Sequence, residues 1–79
     1  MKGYLKLLST EEIRDFIADV RLELFRKGYF LSYQRDELVI YSEETNYLFK
    51  FSDRESELRA WEDVAILSKD LPIIPDPPN

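Results

Sequence analysis

The sequence predicts a two-layer α+β domain: a helix, a three-stranded antiparallel meander, and a second helix. Three features point there. Residues 29–51 fit three strands around two tight reversals whose alternating faces sort the side chains into matched cross-strand rows. A capping box at Ser9-Thr10-Glu11-Glu12 opens an apolar stripe at helical spacing that stops at Gly28. A second helix start at Ser52-Asp53-Arg54-Glu55 precedes another apolar arc.

Met1–Leu8 reads as an extended lead-in with Tyr4, Leu5, Leu7 and Leu8 apolar, and a short N-terminal edge strand is left open for it. The first helix is predicted over Thr10–Lys27. Leu8 and Ile13 form a hydrophobic staple across its cap, and Arg26 and Lys27 complement its C-terminal dipole. Ile13, Phe16, Ile17, Val20 and Leu24 make its core stripe. Ala18, Leu22 and Phe25 lie off that stripe; cover by the lead-in or the tail is the favoured expectation, and contact with a second molecule is the other.

In the meander, two-residue connections at Arg35-Asp36 and Glu44-Thr45 sort the side chains by face. Tyr33 then pairs with Leu38 and Phe51, Leu31 with Ile40 and Phe49, and Tyr29 with Ser42 and Tyr47 on the inner face. The outer face carries Phe30-Tyr41-Leu48 as one row, with Val39 adjoining between Ser32 and Lys50. The second helix is expected to run to about Lys69. Leu58, Trp61, Val64, Ala65, Ser68 and Leu71 would be buried, and Glu55, Arg59, Glu62, Asp63 and Lys69 turned to solvent. Residues 1–71 form the expected domain and 72–79 a Pro-rich extended tail. Four prolines there forbid helix, and Ile73 and Ile74 are expected to pack locally before the chain frays.

Composition narrows the function classes. Seventy-nine residues hold one small core, and with no cysteine or histidine neither disulfides nor the usual zinc ligands are available to support it. The same absences remove the common nucleophile and general base, and two glycines are too few for a phosphate loop. The paired acids have structural roles at a helix start, in turns and on a solvated helix face, and no loop has the EF-hand spacing. No catalytic residue, cofactor or metal is therefore expected. The absence of cysteine and of any apolar run that spans a bilayer makes a soluble cytoplasmic protein the default, with no membrane partner.

The net charge of −5, from 16 carboxylates against 11 bases, disfavours nucleic acid and favours a basic protein partner. The element order resembles that of the double-stranded RNA-binding domain, in topology alone. That family places basic residues near the start of its second helix, where this chain has Ser52-Asp53-Arg54-Glu55-Ser56-Glu57. The sign is wrong for phosphate, although Arg35, Lys50 and Arg54 mark a small basic spot.

The expected function is a small acidic protein-interaction module that inhibits or regulates a protein partner, such as a basic nucleic-acid-handling protein. Inhibitors, antitoxins and immunity proteins of phages and mobile elements share this profile. Phe30, Val39, Tyr41 and Leu48, or Leu22 and Phe25, would supply the apolar anchor. Asp36, Glu37, Glu43, Glu44, Glu62 and Asp63 would supply charge. The alternative is a structural homo-oligomer, such as a homodimer, or a subunit of a larger assembly.

Overall fold

A computed structural model describes residues 3–75, and the end of the tail lies outside them. A 3-10 turn at Leu5–Leu7 leads into α1 (Thr10–Lys27), followed by β1 (Phe30–Tyr33), β2 (Glu37–Tyr41), β3 (Asn46–Lys50) and α2 (Arg54–Asp70). The sheet is antiparallel in the order β1-β2-β3. This is the predicted αβββα arrangement. Both helices lie on one side: α1 packs against β1 and α2, and α2 against β2, β3 and the 3-10 turn.

The limits of α1 follow from local chemistry. The Glu12 amide donates to Ser9 Oγ at 3.2 Å and the Ser9 amide to Glu12 Oε1 at 2.9 Å, closing the capping box. Those bonds, the backbone one foremost, hold the Glu12 carboxyl below its ordinary range. The cap therefore stabilises above the ordinary carboxylate pKa and fades as pH falls through the lowered one. At the other end Gly28 adopts φ 96°, and its amide donates to the Leu24 and Phe25 carbonyls. Ile13, Val20 and Leu24 are buried, with Phe16 and Ile17 half-buried against the core.

The first hairpin has the predicted register: Leu31 faces Ile40, Tyr33 faces Leu38, and the Gln34 amide donates to the Glu37 carbonyl at 2.9 Å across Arg35-Asp36. The second is displaced by two residues from the expectation. Leu38 faces Phe49, Ile40 faces Tyr47, Val39 faces Leu48 and Tyr41 faces Asn46. The connection is Glu43-Glu44: the Ser42 amide donates to the Thr45 carbonyl at 2.9 Å, and the two hydroxyls meet at 2.7 Å. β-Branched Thr45 thus sits on the strand side of the turn, where its χ1 preference fits. Because side chains alternate with period two, this shift preserves both faces and changes only the rows.

α2 is capped one residue later than expected. Asp53, not Ser52, accepts the Ser56 amide at 2.8 Å, and Ser56 Oγ accepts the Asp53 amide at 3.0 Å. The predicted arc holds: Leu58, Trp61, Val64, Ala65, Ser68 and Leu71 are all buried. Glu55 and Arg59 stay exposed, one helical turn apart, and pair at 3.8 Å.

The flanking segments depart from expectation in three ways. The lead-in is a 3-10 turn and not an edge strand, with Leu5 wholly buried, because a side chain of α2 satisfies its amides in place of a neighbouring strand. The lead-in and tail leave Leu22 and Phe25 exposed, since Leu5 packs in the core and Ile74 settles at Gly28. Ile74 packs as foreseen, its amide donating to the Lys27 carbonyl at 2.8 Å, but Ile73 points outward. Successive side chains of an extended chain face opposite ways, so the two isoleucines do not share one contact. Fraying of the last residues is an expectation outside the described range.

Gly28 combines two constraints. Its φ is 96°, and an added Cβ would lie 3.1 Å from the Ile74 Cβ. Gly28→Ala is expected to cost about 1–2 kcal/mol from the left-handed backbone, plus displacement of the tail. Urea unfolding measures the loss; an unchanged midpoint would show that α1 ends otherwise.

Candidate interaction surface

The side of the sheet away from the helices gathers most of the predicted anchor residues. β1 places Phe30 there, β2 places Val39 and Tyr41, and β3 places Leu48, because these positions share one parity in the ladder. Phe30 lies directly across from Tyr41 and the rings stack, with centroids 5.4 Å apart and planes 27° from parallel. Leu48 falls beside Val39 rather than Tyr41, so the single row expected from the sequence becomes two short rows. Phe30 is 59% exposed, Leu48 53% and Tyr41 40%, values high enough to leave the patch open. Val39 is half-buried between them.

Carboxylates stand at both ends of this face, balanced at the first by Arg35 and Lys50 and unbalanced at the second. Asp36 and Glu37 stand at the first reversal, with Glu37 across from Lys50; Glu43 and Glu44 form the second, beyond the Tyr41–Asn46 pair. An apolar centre between carboxylates suits a surface of opposite polarity. Leu22 and Phe25 are exposed on α1, which packs on the opposite side of the sheet, so the sequence-predicted anchors divide into two locations.

Two predicted carboxylates are not surface groups of this kind. Glu62 is wholly buried, and its oxygens accept the Gly3 amide at 2.6 Å and the Leu5 amide at 2.9 Å. It holds the N-terminal segment to α2 and is not an encounter charge. The correction has a plain cause: helical spacing puts Glu62 on the flank of the arc, and the folded-back lead-in covers that flank. Asp63 is half-buried on α2.

A polar contact not foreseen from the sequence closes one end of the inner face. The Tyr33 hydroxyl donates to Glu57, whose other oxygen lies 3.3 Å from Arg54. The hydrogen bond to Glu57, aided by burial, raises the Tyr33 phenol above its usual value. Arg54 is thereby paired within its own helix, which weakens the basic spot anticipated with Arg35 and Lys50. Repeated Glu and Arg at helix starts gave no signal that distinguished this pair from ordinary caps.

The described residues also form shallow depressions. One, of about 410 Å³, runs between α1 and α2 over Phe16, Val20, Ala65 and Ile66, with Asp19 and Glu23 among its lining groups. Another, of about 240 Å³, is lined by Lys6, Glu55, Leu58, Arg59 and Glu62, whose carboxylate is already occupied by backbone amides. Among the described residues there is no cluster of acidic side chains arranged to hold a metal ion, and no helix long and apolar enough to cross a membrane. Comparison with protein-family models, with curated proteins and with solved structures finds no match for this chain.

Proposed function

We propose that this chain is a non-enzymatic interaction module that docks through the helix-free sheet face and inhibits or regulates a protein partner. The stacked, open Phe30–Tyr41 pair with Leu48 and Val39, beside the acidic Glu43-Glu44 turn, carries this reading. Exposed contiguous apolar patches of this kind mark association sites. Aromatic side chains supply binding energy at small conformational cost, and charges around them chiefly govern the rate of encounter. With a net charge of −5, the favoured partner carries a basic rim around an apolar recess, as proteins that handle nucleic acids do.

The test compares baits. Parent protein and Tyr41→Glu are used to capture partners from the native host, and captured proteins are identified by mass spectrometry. Tyr41→Glu buries a charge at the anchor and is expected to weaken the specific complex roughly 30-fold or more. With the purified partner, the association rate should fall steeply as salt rises. Identical captures by both baits would reject the sheet face, and a salt-independent rate would reject the basic partner.

A further inference from the structure

We infer that the free edge of β3 pairs antiparallel with β3 of a second copy of this chain, joining two three-stranded sheets into one of six strands. The direction of the backbone groups in β3 follows from the second hairpin. The Ser42 amide donates to the Thr45 carbonyl at 2.9 Å, and the Phe51 amide to the Asp36 carbonyl at 2.9 Å. In an antiparallel ladder, hydrogen-bonded and non-bonded pairs alternate. Thr45, Tyr47, Phe49 and Phe51 therefore turn their amides and carbonyls toward β2. Asn46, Leu48 and Lys50 turn theirs outward, and among the described residues no group hydrogen-bonds them.

An edge of this kind is a template for another strand unless it is blunted. β3 has no proline and no interruption in its ladder, and its only charge is Lys50 at the end. The other edge is a poorer template. β1 has four residues, and only Leu31 and Tyr33 have outward backbone groups by the same alternation.

The sequence of β3 selects its own copy as the occupant. A two-fold axis at Leu48 pairs Leu48 with Leu48 of the second copy, and each Asn46 with the other copy's Lys50. This register uses every outward group and forms about six backbone hydrogen bonds. A shift by two residues in either direction leaves one outward residue of each strand unpaired. The chosen register sets no like charges opposite one another. It also carries each Lys50 toward the other copy's Glu43-Glu44 turn, whereas a parallel pairing would bring the two lysines together. On the helix side, Tyr47 comes to face Phe49 of the second copy in the close, non-bonded pairs. Both rings are only half-buried in the single chain, so pairing completes their cover. On the opposite side, the Val39–Leu48 rows of the two copies become continuous. Partner docking at Phe30 and Tyr41 is not required for any of this.

Sedimentation velocity across a concentration series to about 1 mM tests the pairing, with a charge-swap set at exposed positions. The parent is expected to shift from monomer to dimer. Asn46→Lys places a lysine opposite Lys50 twice per dimer and should raise the dissociation constant about tenfold. Asn46→Lys combined with Lys50→Glu should restore dimerisation, because the introduced charges then face each other as opposites. Circular dichroism confirms that each variant folds, and a mixed-label NMR sample should show contact between the α-protons of Tyr47 and Phe49 across copies. A parent that stays monomeric overturns the proposal. So does a dimer indifferent to Asn46→Lys, or assembly that continues past two copies, as a β1-to-β3 pairing would. Asn46 lies across from Tyr41, so partner capture is judged from Tyr41→Glu alone and self-pairing from sedimentation without any partner, which keeps the two failures distinct.

Discussion

Trp61→Ala is expected to destabilise the protein by about 3–5 kcal/mol, a large share of the roughly 5–15 kcal/mol available to a domain. Trp61 is wholly buried and is the largest such side chain in the core. Its indole receives the Tyr33 ring edge-on, with centroids 6.0 Å apart and planes at 88°, and the Arg21 guanidinium lies 5.8 Å from its centroid. The residue thus ties α2 to β1 and to α1 at one point, and truncation would leave a cavity that no single element can collapse to fill. Trp61→Phe should be milder, costing about 1–3 kcal/mol. It shrinks the ring but also removes Nε1, which is buried and has no hydrogen-bond partner among the described residues, so part of the lost packing is offset. Urea unfolding of the three proteins checks the order parent, Phe, Ala. An alanine variant as stable as the parent would mean that the sheet, and not α2, anchors the core.

What the sequence made legible depends on how local each determinant is. The bounds of α1 were readable because Ser9, Glu12 and Gly28 act within one turn of the helix ends. The start of α2 was less so: Ser52-Asp53-Arg54-Glu55-Ser56 offers two overlapping capping pairs, and only backbone entry from β3 decides for Asp53 and Ser56. The faces of the sheet follow from alternation alone, which is why Phe30, Val39, Tyr41 and Leu48 were placed together correctly. The Phe30–Tyr41 pairing was right as well, but Leu48 belongs beside Val39, because a two-residue slip is invisible to a period-two pattern and was resolved by the Ser42–Thr45 contact. Contacts between distant segments were the least legible. Nothing near Glu62 in the chain announces that Gly3 and Leu5 will bond to it, and the helical pattern alone placed it in solvent.

That buried carboxylate yields the second large effect. Glu62→Ala should cost about 3 kcal/mol, since two amides lose a charged acceptor and the buried Leu5 N–H is left without one. The loss should concentrate at the N-terminus, because Glu62 joins the Leu5–Leu7 turn to α2 and has no part in the sheet. Leu5 is wholly buried, so freeing its turn also exposes a core leucine and opens the flank of α2 around Leu58. Glu62→Gln separates the contributions. A carboxamide offers one acceptor oxygen, so one of the two amides remains unpaired, and the variant should fall between parent and alanine. Hydrogen exchange by NMR reads the effect directly: the Leu5 amide should exchange faster in Glu62→Gln and faster still in Glu62→Ala, while amides of β2 retain their protection in the glutamine variant. Unaltered Leu5 exchange in both variants would show that leucine burial alone holds the segment. If sheet and Leu5 amides instead lost protection together in Glu62→Gln, the turn would be part of the global folding unit, and its opening would not be a local event.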